Sequence, residues 1–280
     1  MLTTKDAPLA RNVRRIGHLD IPGGGQIMVR NNIAIVGYLD PPNGTAILDV
    51  SDPAAPRILS EIRLDGMVSH SHKARFAGDR DLILVNCEMH DRHVLRKGFE
   101  IPQLEADFSR RNGRAPSDDE LAKLLKVQVG RMPDLRAMAE SGYNDGGFRI
   151  YDISDPARPE LVSYQRTGGV GVHRFDCDAN YAYISTEMDG YVGNIIVIYD
   201  IADPSNVREV SRWHMPGQHL ANGETPHWEG VRNRVHHGLR VGDELWTACW
   251  HGGINVVDIS DIANPVTIAA PCLRSHPSAA

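Results

Sequence analysis

One segment of this chain is written four times. It reads "AILDVSDPAAPRILSEI" from Ala46, "FRIYDISDPARPELVSY" from Phe148, "IVIYDIADPSNVREVSRW" from Ile196 and "INVVDISDIANPVTIAA" from Ile254. Each copy is an alternating apolar run, then Asp-(Val/Ile)-(Ser/Ala)-Asp, then a second alternating run. Alternation over five or six residues predicts half-buried strands. The aspartates between them predict a turn, because their carboxylates accept backbone N–H bonds from residues just ahead, and proline presets φ. Each copy is therefore expected to be a strand–turn–strand hairpin.

A second apolar pair precedes each hairpin: "QIMVRNNIAIVGY" from Gln26, "HKARFAGDRDLILVN" from His72, "HRFDCDANYAYIST" from His173 and "HHGLRVGDELWTAC" from His236. Four short antiparallel strands in a unit of roughly 40–50 residues is the pattern of propeller blades. The expected fold is all-β: a β-propeller of four recognisable four-stranded blades, incomplete or closed. The anchor aspartates Asp49, Asp152, Asp200 and Asp258 are 103, 48 and 58 residues apart. The long first gap predicts an insertion, placed at 95–143. Within it, Ser117 followed by Asp118, Asp119 and Glu120 reads as a helix start, and Pro133 as the point where that helix ends or kinks.

The "LDVSDPAAP", "YDISDPARP" and "VDISDIANP" segments resemble the LVIVD-repeat β-propeller family. The resemblance covers the chain outside the insertion and a non-repeat tail, 271–280. It implies strands arranged radially around a central channel in a single domain, 1–280, and implies no particular reaction, because propellers host many. The segment "ARNVRRIGHLDI" resembles a blade's fourth strand without a partner blade. Two readings follow, a compact ring with an extra strand or a shortened relative of a larger propeller. The second leaves an open flank and makes a homo-oligomer an expectation.

Bulk properties narrow the function. Net charge is −6 across 280 residues, so there is no basic face for nucleic acid. No apolar run approaches a membrane span, and "MLTTKDAPLARNVRR" has no apolar leader region. The four cysteines form no CxxC pair, which fits reduced thiols in a cytoplasmic protein. No Walker loop or GxSxG elbow is present.

The thirteen histidines are the unusual count. When the units are aligned on their second strands, His72, His173 and His236 fall at the start of the first strand in three of the four. Equivalent positions on neighbouring blades face a common axis. Three imidazoles converging there point to a divalent transition metal (zinc, iron or manganese) with an open coordination position. Structural hydrogen bonding inside a narrow channel is the competing reading. Glu88 and Glu187, at the far ends of second strands, are the candidate catalytic carboxylates. His70, His90, His227, His237, His251 and Arg174 are candidates for the surrounding pocket, Arg174 and Arg75 as partners for an anionic group. Similarity to other propellers with channel histidines, such as the selenium-binding protein group, keeps oxidation open beside hydrolysis and lyase chemistry on a small molecule. A non-catalytic binding scaffold, or a remnant that has lost an activity, is the alternative.

Overall fold

A computed structural model describes residues 12–21, 23–40, 43–64, 68–226, 228 and 233–271. The first hairpin pair is β1 (Gly24–Arg30), β2 (Ile33–Tyr38), β3 (Asn43–Asp49) and β4 (Arg57–Arg63), paired in sequence order. The next meander has a split inner strand, β5 (Ser69–His70) and β6 (Ala74–Phe76), both pairing β7 (Leu82–Met89), followed by β8 (Gly147–Asp152) and β9 (Glu160–Arg166). Then come β10 (Gly168–Cys177), β11 (Tyr181–Glu187), β12 (Asn194–Asp200) and β13 (Arg208–Trp213), and last β14 (His237–Val241), β15 (Glu244–Ala248), β16 (Ile254–Asp258) and β17 (Val266–Ala269). All pairings are antiparallel. One strand-pairing position, Gly171 opposite Glu88, joins the two middle meanders edge to edge. The chain is thus an all-β, propeller-like succession of meanders with one helical excursion.

The repeated hairpin owes its shape to its aspartates. Asp49, Asp152, Asp200 and Asp258 each accept the backbone N–H two residues on, at 2.9, 2.7, 3.0 and 2.8 Å. Asp52, Asp155, Asp203 and Asp261 do the same one step later. Each bond satisfies a donor that the strand ladder has released. The same register shift recurs just before the first aspartate in all four copies, at Ile47/Leu48, Ile150/Tyr151, Ile198/Tyr199 and Val256/Val257. A bulge of this kind adds twist where the outer strand must turn away.

The core lies between successive meanders. Ile35, Ile47 and Ile62 meet Phe76, Ile83 and Val85. Leu84, Phe148 and Ile150 meet Val172, Phe175 and Ile184. Ile196, Ile198 and Trp213 meet Val235, Leu245 and Val257. On the first meander's other face, Leu19 and Ile21 cover Ala34, Val36 and Leu48. The expected extra strand is not formed there: residues 13–21 make no strand pairing, and the segment covers a sheet face instead of extending it. On the last meander Val241, Trp246, Ile254, Val266 and Ile268 are exposed.

The excursion holds four α-helices: α1 (Arg92–Leu95), α2 (Ile101–Asn112), α3 (Asp118–Leu125) and α4 (Met132–Ser141). It begins three residues before the expected boundary at Leu95. Ser117 caps α3 as expected, its hydroxyl taking the Glu120 N–H while the Glu120 carboxylate takes the Ser117 N–H. Pro133 ends nothing. The helix stops earlier, at Lys126 with φ 54°, and Pro133 sits in the first turn of α4, where its missing N–H costs no bond. The helices have a core of their own (Ile101, Leu121, Leu125, Met132, Leu135), and Leu95 and Met138 seat it on Met89 and Val170.

Candidate metal centre

The site is built on β7, whose eight residues are all buried. Glu88 stands near its end and is fully buried. Opposite it the inner strand breaks between β5 and β6, and Asn86 zips the gap. The Asn86 Oδ1 accepts the Lys73 N–H at 3.0 Å, and its Nδ2 donates to the Val172 carbonyl of the next meander at 2.8 Å. These two backbone partners fix which way the amide faces. Its Nδ2 is therefore also the donor toward His72 Nδ1 at 3.3 Å, and the single lone pair of that nitrogen is engaged by Asn86.

His70 is oriented in the same way. Its Nδ1 lies 2.8 Å from the Leu39 carbonyl, which can only accept, so Nδ1 carries the proton and Nε2 of the neutral ring presents its lone pair. Nε2 faces Glu88 Oε2 at 3.2 Å, and His72 Nδ1 faces the same oxygen at 3.6 Å. Ligand atoms of His70, His72 and Glu88 all lie within 4.8 Å of one another. The lone pairs of His70 Nε2 and Glu88 Oε2 turned on each other repel unless a proton or a metal cation lies between them. A tetrahedral site with bonds of ~2.0–2.2 Å needs donors about 3.4 Å apart, and the two short separations bracket that spacing.

Electrostatics agree. Burial pushes the His72 imidazole well below its ordinary value against the pull of Glu88, which keeps the ring neutral, the form that ligates. His72 Nε2 is buried with no hydrogen-bond partner. Burial also opposes ionisation of Glu88, but its contacts with His173 and His70 outweigh it and hold the carboxyl well below the usual carboxylate range. The Oε1 atom of Glu88 takes an ion pair from Arg92 of α1.

His72, His173 and His236, the triad expected from the repeat, stand in a run of neighbouring rings, with centroids 5.4 and 4.9 Å apart. Among the described residues, the group whose ligand atoms close on one point is His70, His72 and Glu88. His173 is not at the start of its strand, as the alignment expected, but is the sixth residue of β10. A register shift between Val172 and Arg174 leaves it as the extra residue of a bulge. Its Nδ1 contacts Glu88 at 3.1 Å and Arg92 at 2.9 Å. His236 lies beyond it, against Trp250 at 5.3 Å between centroids, and burial lowers it to about 4. His90 adjoins His70, 5.6 Å between ring centroids. His237 leans away, 2.7 Å from the buried Lys73 Nζ and 3.1 Å from the Phe175 carbonyl, and burial lowers it to about 3. Glu187 is paired with Arg96 at 3.1 Å, and His251 is exposed beyond β15. His227 lies outside the described residues. Cys87 and Cys249 are buried, Cys87 pushed up to about 12 by burial, so neither is a nucleophile.

Two site residues escape the repeat pattern. Asn86 had a signal, a lone amide inside the apolar run "LILVNCEM". Arg92 had none, since it lies where the excursion leaves the sheet. A cavity of about 10 Å³, room for a single water, lies beside Glu88, Arg92, His173 and Trp250. A second cavity of about 600 Å³, lined by Arg63, Tyr143, Asp145, Arg149 and Tyr164, shares no residue with the histidines.

The LVIVD repeat profile matches residues 26–62, 142–167 and 242–269. No curated protein matches the chain. Among solved structures, the chain is similar to a candidate 6-phosphogluconolactonase from Bacteroides uniformis at TM-score 0.52 and 10% identity, covering 88% of this chain and 54% of that one. It is also similar to a hypothetical selenium-binding protein from Sulfolobus tokodaii at TM-score 0.50 and 11% identity, covering 88% and 50%. The chain spans about half the length of each, and at such identities the likeness is one of fold. No described helix is long and apolar enough to cross a membrane.

Proposed function

We propose that this LVIVD-repeat protein holds a divalent transition metal at His70, His72 and Glu88 and uses it on a small molecule admitted to the channel of its propeller-like fold. The four meanders are read as four blades, with the metal where the second meets the third. One observation carries the proposal: ligand-capable atoms of His70, His72 and Glu88 lie within 4.8 Å of one another, with His70 Nε2 turned inward by the bond of its Nδ1 to Leu39. Two nitrogens and one oxygen suit zinc, iron or manganese. Such an ion would supply Lewis acidity or an activated water. His173 is placed to hold a proton beside Glu88. Arg92 and Arg96, carried in by the helical excursion, screen the two carboxylates from solvent, which supports the excursion as a cover.

A second reading is favoured by the smallness of the cavity beside Glu88: a structural network in which Glu88 is satisfied by Arg92, His173 and a protonated His70. Elemental analysis of tag-free protein separates the two. Near-stoichiometric metal in the wild type, lost in His70→Ala, supports the metal centre. A wild type that takes up no metal after reconstitution leaves only the network.

A further inference from the structure

Among the described residues, Arg174 is held by no ion pair or hydrogen bond to a carboxylate, and Glu88 favours its charge only through space. The Nε and Nη1 atoms of Arg174 are buried without a hydrogen-bond partner. The guanidinium has two forks that share Nη2, so each fork has one buried nitrogen unmatched. Covering guanidinium nitrogens without giving them acceptors costs stability. A chain that keeps them so gains by it elsewhere.

The nearby carboxylates are already engaged. Glu88 serves Arg92, His70 and His173. Asp176 serves Arg75 and the Arg240 N–H at 3.0 Å. Glu187 serves Arg96. The remaining groups in electrostatic reach of Arg174 are basic: its charge disfavours protonation of His72, Lys73, His173, His236 and His237 alike. Placement is local in origin. Consecutive strand residues face opposite ways, but the bulge at His173 resets the alternation, so His173 and Arg174 both address the neighbourhood of Glu88. Arg174 as a whole is only partly buried, while Nε and Nη1 are covered, so an incoming anion has to displace the groups that lie over them.

We propose that Arg174 is the binding group for an oxyanion, the carboxylate or phosphate of the small molecule that the channel admits. The ligand completes an arginine whose forks match such groups in geometry and charge, in a setting of neutral imidazoles and one committed carboxylate. Recognition of this kind positions a substrate beside His72 and His173 without itself doing chemistry. The inference shares the channel with the metal reading but needs no metal.

Calorimetric titration with inorganic phosphate and with oxalate, at constant ionic strength and against chloride, tests it on the full chain. The wild type is expected to bind at least one of the two, with affinity at least tenfold weaker in Arg174→Met and partly retained in Arg174→Lys. Preference for phosphate or oxalate identifies the headgroup. Without anion, Arg174→Met is expected to melt at or above the wild type, because covered nitrogens without acceptors have gone. The same titration in His70→Ala separates this inference from the metal: retained binding there keeps the site at Arg174 whatever becomes of the metal. Loss in His70→Ala with full binding in Arg174→Met would put the anion on the metal and overturn it. So would equal affinity in wild type and Arg174→Met, or no binding of either probe by the wild type.

Discussion

Replacing Glu88 by Gln keeps the side-chain volume and removes the charge. In the wild type this carboxylate is fully buried, receives Arg92, and lies 3.1 Å from His173 and 3.2 Å from His70. The amide offers one acceptor in place of two and carries no charge to answer the Arg92 guanidinium. Removing one partner of a buried ion pair costs about 3–5 kcal/mol. The Arg92 side chain is 19% exposed and can swing partly to water, which places the expected loss near the lower end, about 3 kcal/mol. Urea unfolding at neutral pH, with metal removed beforehand, measures it by linear extrapolation. A double-mutant cycle with Arg92→Ala should return a coupling of about 1–3 kcal/mol. The sign with pH is fixed as well. The carboxyl of Glu88 is depressed in the fold, so its stabilisation is complete above the unfolded value, 4.5, and is lost as pH falls through the folded one. The gap between wild type and Glu88→Gln should therefore hold constant from neutral pH down to that value and close below it. A loss under about 1 kcal/mol, within the range of surface substitutions, would refute the view of Glu88 as the hub that ties the excursion to the sheet.

Two further outcomes follow from the same structure. His236 and His237 are held neutral, at about 4 and about 3 against an unfolded value of 6.5, so between those limits the unfolded chain binds more protons. Stability must then fall as pH drops from 7 to 5, by on the order of 1–2 kcal/mol per histidine after allowance for partial exposure; His237→Gln should flatten the dependence of melting temperature on pH, and an unchanged slope would count against it. Asp152→Ala isolates the repeat's turn bonds, since Asp49 and Asp200 also carry arginine partners and Asp152 is held by Ser154, through its N–H at 2.7 Å and its side chain. The expected cost in chemical denaturation is about 1 kcal/mol, and a null result would mean that the turn is set by its neighbours and not by the carboxylate.

The hairpins were legible because their causes are local. An aspartate that accepts an N–H two residues away, flanked by alternating apolar residues, dictates strand–turn–strand wherever it occurs, and its fourfold recurrence carried the propeller-like architecture. Ser117 was legible for the same reason: a capping box spans three residues. Pro133 was misread because proline tolerates a helix's first turn as readily as it breaks a helix interior, and only Lys126, in a left-handed conformation, decided between the two. The histidines were half legible. Repeat register brought His72, His173 and His236 into one run of rings. It could not reveal that the inner strand splits between His70 and Ala74, or that a bulge displaces His173. Those are decisions of packing between meanders, where Asn86 must satisfy backbone groups on both sides of the gap. Arg92 was invisible, because a side chain that reaches Glu88 from a helical excursion has no periodicity to betray it. The sequence by itself determined the repeating unit and which residue types line its inner edge. Tertiary structure alone chose which nitrogens turn toward Glu88, since a tautomer is set by whichever carbonyl or amide the fold places against the ring's other side.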